Sequence, residues 1–196
     1  MRIGSDWRLL DEEARRLLCL AGHLPNGTNR TFIQKALEDA TKAIKLDGTL
    51  DIQPVVDRDT QGVPGSPDIA TTIFEKIASA SVVVADVSFV GSQRDYRPMP
   101  NPNVMIELGY AFRAIGYERV IMVFNNAYGD VEKLPFDLKM RRAVVYTMAQ
   151  EVTDRSGERK VLQGKLENAL RASLAALNQQ SPLWKSSTET EPHRRC

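Results

Sequence analysis

The segment Ser81-Val-Val-Val-Ala-Asp-Val87 limits the possible folds more than any other stretch of the chain. Its apolar residues occupy consecutive positions, so an extended strand here is apolar on both faces and both need cover. That pattern belongs to a strand inside a parallel sheet, flanked by helices above and below. The rest of the chain supplies matching pieces. Leu17–Ala21, Leu50–Val56, Arg119–Phe124 and Ala143–Met148 read as four more strands. Helical periods run through Phe32, Ile33, Leu37, Ala40 and Ile44, and again through Ile69, Ile73, Ile77 and Ala80. Two more helices are expected over 103–115 and 161–177. Boundary chemistry agrees: Thr28 or Asn29 caps the first helix and Asp47-Gly48 stops it. Ser66-Pro67-Asp68 opens the second with a cap, a first-turn proline and a first-turn acid. Asn101 or Asn103 caps the third, with Pro102 in its first turn. Strand and helix alternate five times. This order predicts an α/β fold: a doubly wound, five-stranded parallel sheet with right-handed crossovers and helices on both faces.

A chain of 196 residues suits one domain. The expected division is a charged lead-in over 1–16, a domain over 17–178 and a disordered polar tail over 179–196, where Ser, Thr, Glu, Pro and Arg dominate. The net charge is +1, from 26 basic and 25 acidic side chains, which gives no basic excess for tracking phosphates. No nucleic acid is expected as partner. No apolar run approaches the roughly 20 residues needed to span a bilayer. Cys19 and Cys196 lack metal-ligand spacing, and the first residues lack a signal-peptide core, so a reduced, cytoplasmic protein is expected. His23 and His193 are too few and too distant for a metal cluster or a Ser-His-Asp triad. No metal site is expected, and the methionines read as core filler.

In doubly wound sheets, ligands bind beyond the carboxyl ends of the strands. The loops to search are therefore 22–29, 57–66, 88–102 and 125–138. Glu107 is the first candidate, because it puts a carboxylate into the apolar helical string Val104-Met-Ile-Glu-Leu108. Asn103 and Tyr110 fall on its face of the helix, and Gly109 costs the helix about 1 kcal/mol, which close approach of a backbone or ligand would repay. Glu107 can orient ribose hydroxyls or stabilise an oxocarbenium-like centre. It can equally form a structural ion pair with Arg58 or Arg119. The loop from Asp57 to Asp68 offers glycines, a helix N-terminus at Ser66 and the charge of Arg58 to an anion, or serves as a tight turn. Asp86 closes a buried strand, where a carboxylate is costly unless satisfied, so it binds ribose or accepts hydrogen bonds from loop backbone. Asp137 with Arg141-Arg142 reads as an ion-paired group, with phosphate contact as the other option.

Three stretches together carry a resemblance: Asp57-Arg-Asp-Thr-Gln-Gly-Val-Pro-Gly-Ser-Pro-Asp68, Val84-Ala-Asp-Val-Ser88 and Asn101-Pro-Asn-Val-Met-Ile-Glu-Leu-Gly-Tyr-Ala111. With Leu134-Pro-Phe-Asp-Leu138 and Arg141-Arg142, they resemble bacterial TIR-like nucleotide-binding proteins associated with anti-phage defence. Related strings occur in nucleoside deoxyribosyltransferases, which share the architecture. The resemblance covers residues 24–148 and is densest from 57 to 142. It implies a flavodoxin-like sheet and, in the enzymatic members, cleavage of the nicotinamide–ribose bond of NAD, which is substrate and not cofactor. It also implies that Glu107, on the helix after the third strand, is catalytic. The substrate pocket is then expected to be lined by Arg58, Asp59, Gly65, Ser66, Asp86, Ser88, Asn103 and Tyr110. Such proteins are commonly activated by self-association, so a homo-oligomer and a sensor or defence partner are implied. The resemblance leaves two rivals: a nucleoside deoxyribosyltransferase or nucleotide N-glycosidase with the glutamate as nucleophile, and a non-catalytic nucleotide-binding or assembly module. One departure favours the last. Members of the group begin the first strand near the start of the chain and follow it with polar residues, where this chain has Leu17-Leu-Cys-Leu-Ala-Gly-His-Leu24 after a charged lead-in.

Overall fold

β3 (Val82–Asp86) is buried along its whole length, as a strand with two apolar faces requires. The computed structural model to which it belongs describes residues 16–20, 28–48, 55–58, 69–90, 98–149 and 151–179. β4 (Val120–Asn125) pairs with β3 in parallel, Val84 opposite Ile121 and Asp86 opposite Val123. β5 (Ala143–Tyr146) continues the sheet in parallel beyond β4, with Val123 opposite Val144. On the other side of β3 the backbone of β1 (Arg16–Leu20) pairs in parallel, and β2 (Val55–Arg58) pairs with β1. The strand order is β2-β1-β3-β4-β5.

Among the described residues, five helices flank these strands: α1 (Thr28–Asp47), α2 (Ile69–Ser79), α3 (Pro102–Ala114), the short α4 (Phe136–Lys139) and α5 (Arg155–Gln179). Strand alternation divides the interior into two cores. Val82, Val84, Ile121 and Val123 point to one, where they meet Leu17 and the inward faces of α1 and α5. Val83, Ala85, Met122 and Phe124 point to the other, against Ile77 of α2 and Val104, Leu108 and Ala111 of α3. In α5 the residues Leu162, Leu166, Leu170 and Leu174 recur every fourth position and are fully buried. Each contributes about 1.5–3 kcal/mol through removal of apolar surface from water. Across the α1–α5 seam, Arg171 bridges Asp47 and Glu167, and Arg159 lies 3.4 Å from Asp39. These pairs are part-exposed, so they fix register more than they stabilise.

Several boundaries differ from the sequence expectation. α5 begins two turns early because Asp154 caps it: its Oδ1 accepts from the Gly157 backbone at 2.9 Å and the Ser156 hydroxyl at 3.0 Å. That first turn is polar, so apolar period could not reveal it. Ile69, placed on the inward face of α2, is 60% exposed, whereas Ile77 and Ala80 are buried. The connection over 125–142 holds two 3₁₀ turns, Asn126–Tyr128 and Val131–Lys133, as well as α4. Met122 and Met148 fill the core as expected, but Met99 and Met140 are exposed. The lead-in over 1–15, the cap segment Ser66–Asp68 and the tail from residue 180 lie outside the described residues. Among the described residues, no helix is long and apolar enough to cross a membrane.

Candidate functional site

The carboxyl ends of β3 and β4 carry a buried polar cluster. Asp86, Ser88, Asn125 and Asn29, the last in the first turn of α1, are all at most 5% exposed. The cluster grows from the ladder itself. The Val87 backbone donates to the Val123 carbonyl at 2.9 Å, and the Ser88 hydroxyl then stands in for the next ladder acceptor. That hydroxyl accepts from the Asn125 backbone N–H at 2.8 Å and donates to Asp86 Oδ1 at 2.5 Å. The Ser88 backbone N–H adds a second donor to the same oxygen at 3.0 Å. Burial pushes the Asp86 pKa above the ordinary carboxylate value, while the Ser88 hydroxyl, the Ser88 backbone and the Asn29 amide pull it back down. Among the described residues the hydrogen bonds to Asp86 all fall on Oδ1.

Asn125 fastens this cluster to the far side of the sheet. Its Oδ1 accepts from the Met148 backbone at 2.9 Å and the Ala127 backbone at 3.1 Å. Its Nδ2 donates to the Met148 carbonyl at 2.8 Å and to Asn29 Oδ1 at 3.1 Å. One amide thereby ties together the end of β4, the segment after β5 and the start of α1.

α3 follows from β3 and places Glu107. The Asn101 side chain accepts from the Asn103 backbone at 2.9 Å, and Pro102 occupies the first turn. Val104, Leu108 and Ala111 turn inward, which leaves Glu107 half-buried beside them. Glu107 is not an isolated carboxylate; it has an interaction within the protein.

The expected pocket residues divide into three groups. Asp86 and Ser88 meet directly. Asn103 and Tyr110 do not form a cluster with them: Asn103 is exposed at the start of α3, and the Tyr110 ring packs on Phe74 of α2, with centroids 4.7 Å apart. The Arg58 backbone ends β2, but its side chain lies outside the described residues, as do Asp59, Gly65 and Ser66. Two further expectations are corrected. Among the described residues, no group from outside its own helix lies within 4 Å of the point where a Cβ on Gly109 would stand, so no described backbone approaches it there. Arg141 sits over the rings of Tyr117 and Phe112, at 3.9 and 4.8 Å, in place of an ion pair with Asp137. The aromatic faces offer the guanidinium a cation–π seat that Asp137, on the exposed side of α4, does not match.

Sequence reasoning missed Asn125 and gave Asn29 only a capping role. A signal was available: Asn125 is the polar residue that closes the apolar run Val120–Phe124 at the carboxyl end of β4. A groove of about 570 Å³, lined by Ile121, Arg142, Val144, Lys165 and Ser173, lies where β4 and β5 begin, at the opposite end of the strands from Asp86. Among the described residues, no group of His, Cys, Asp and Glu is arranged to hold a metal ion. No protein-family model matches the chain. No curated protein matches it either.

Proposed function

We propose that the chain is a TIR-like NAD glycohydrolase, built on a flavodoxin-like, doubly wound sheet, which cleaves the nicotinamide–ribose bond of NAD. The observation that supports this reading is Glu107 itself, a half-buried carboxylate on the helix that follows β3, the strand whose carboxyl end holds the buried Asp86–Ser88 pair. Glu107 orients the nicotinamide ribose through its hydroxyls. As the C–N bond breaks, the bonding pair leaves with nicotinamide and positive charge develops on the anomeric carbon and ring oxygen. In the ground state the positive charge lies on the pyridinium nitrogen; a carboxylate held beside the ribose stabilises it more once it has moved to the anomeric carbon and ring oxygen, which is what lowers the barrier. Water then adds at the anomeric carbon and loses a proton, giving ADP-ribose. Asp86 binds a ligand hydroxyl from the floor of the pocket.

Self-association, alone or through a sensor or defence partner, belongs to the same proposal and supplies the activating step. The test is nicotinamide release from NAD, for wild type and Glu107→Gln, over a range of protein concentrations with a crowding agent. Release by wild type and none by Glu107→Gln supports the reading. Equal release by both removes Glu107 from the mechanism. Base exchange from deoxynucleosides without NAD turnover replaces the substrate, and a stable nucleotide complex with no product replaces the enzyme with a binding module.

A further inference from the structure

The flank of α5 that meets β5 carries small side chains where its inner face carries leucines. Lys165, Ala169, Ala172 and Ser173 recur at helical spacing beside the buried stripe of Leu162, Leu166, Leu170 and Leu174. Alanine and serine cannot reach across to the sheet as leucine does, so the seam between α5 and β5 stays unfilled. Val144 and Ala169 pack against the first core yet remain only half-buried. β5 is the last strand in the order, so among the described residues no further strand covers this side. The result is the groove of about 570 Å³ over Val144 and the start of β4. Its volume falls in the range of about 300–1,000 Å³ that small-molecule sites occupy.

Two cations border the groove. Lys165 Nζ donates to the Val145 carbonyl at 2.7 Å, which holds the ammonium beside β5 and leaves two of its three donors for another acceptor. Arg142, the second of the Arg141-Arg142 pair, is exposed just before β5 begins. Among the described residues neither base has a carboxylate partner, whereas Arg159 and Arg171, on the α1 side of the same helix, are both paired with acids. The described residues that line the groove include no acid. In a chain with 26 basic and 25 acidic side chains, this is a local excess of positive charge.

We propose that the groove is a binding site for a small organic anion, whose carboxylate or phosphate is met by Arg142 and Lys165 and whose apolar body lies along Val144, Ala169 and Ala172. The guanidinium fork presents paired N–H donors that suit either oxyanion. An apolar body takes from water the surface that the small side chains of α5 leave uncovered. The site shares no residue with the Asp86 cluster or with Glu107, and it does not rest on the glycohydrolase reading.

The experiment titrates the full chain, ¹³C-labelled in its Ala and Val methyl groups, with octanoate, octyl phosphate, octanol and inorganic phosphate, each below its micelle-forming concentration. Octanoate or octyl phosphate should saturate the methyl signals of Val144, Ala169 and Ala172 and leave that of Ala111, in the second core, in place. The tighter of the two identifies the head group. Octanol lacks the charge and inorganic phosphate lacks the apolar body, so each should bind at least about tenfold more weakly. Arg142→Gln and Lys165→Gln, both at exposed positions, should each weaken the amphiphile by about tenfold. Ala172→Leu, which fills the groove from an exposed position, should abolish binding in a folded chain. The proposal is overturned by the absence of saturable shifts with either amphiphile, by octanol or inorganic phosphate binding as tightly, or by unchanged affinity in the Arg142→Gln/Lys165→Gln double mutant.

Discussion

Asp86 sits where a carboxylate is costly, and the cost sets a pH response. Its folded-state pKa is raised by burial, so the protonated form is preferred in the fold relative to the unfolded chain. Stability from this preference is fully present below the ordinary carboxylate pKa and is lost as pH rises through the raised folded value. Asp86→Asn cannot lose a proton and keeps an acceptor for Ser88. The stability difference between Asp86→Asn and wild type should therefore shift in favour of the mutant across that window, as measured by urea unfolding at a series of pH values. A difference independent of pH would show that Asp86 does not titrate in the fold as described. Glu107, by contrast, is half-buried at the helix surface. Glu107→Gln should change stability by less than about 1 kcal/mol, so any loss of activity reports on chemistry and not on folding.

α5 shows how an element is held at two levels. Its apolar stripe supplies the energy: Leu166→Ala should cost about 2–5 kcal/mol by denaturant unfolding, because a fully buried leucine leaves a cavity between α5 and α1. Its start depends on the Asp154 cap. A Cβ on Gly157 would come within 2.3 Å of Asp154 Oδ2, so Gly157→Ala must push the capping carboxylate aside. Asp154→Ala and Gly157→Ala should both destabilise, and the double mutant should be little worse than either, which a thermal-melt cycle tests. The Asp154 pKa is lowered by the Gly157 backbone and the Ser156 hydroxyl. Its contribution is thus present above the ordinary carboxylate range and fades as pH falls through the lowered folded value. The same element marks the edge of what the residue pattern reveals. Repeating apolar positions disclosed the inward faces of α1 and α5 and the core of β3, since burial and period are the same fact seen twice. The polar first turn of α5, the exposed Ile69 and the 3₁₀ turns before α4 depend on side-chain caps and chain geometry, which leave no periodic trace.

At the scale of the molecule, the order of elements was legible and the site only partly so. A carboxylate within an apolar helix singled out Glu107, and one at the end of an apolar strand singled out Asp86. The link from Asp86 to Asn29 and Asn125 joins residues 96 apart in the chain or 37 apart through Ser88, and only the sheet register brings them together. Tyr110 shows the reverse: helical spacing places it with Glu107, but the Phe74 ring on the neighbouring helix claims it. Should self-association be the activating step, nicotinamide release per chain should climb with protein concentration, and light scattering should report a growing mass over the same range. A constant specific activity would assign activation to another cause. The most direct test of the account remains nicotinamide release from NAD, comparing wild type with Glu107→Ala at high protein concentration. The account expects release that rises with concentration in wild type and vanishes in a mutant of unchanged fold; equal release by the mutant would contradict it.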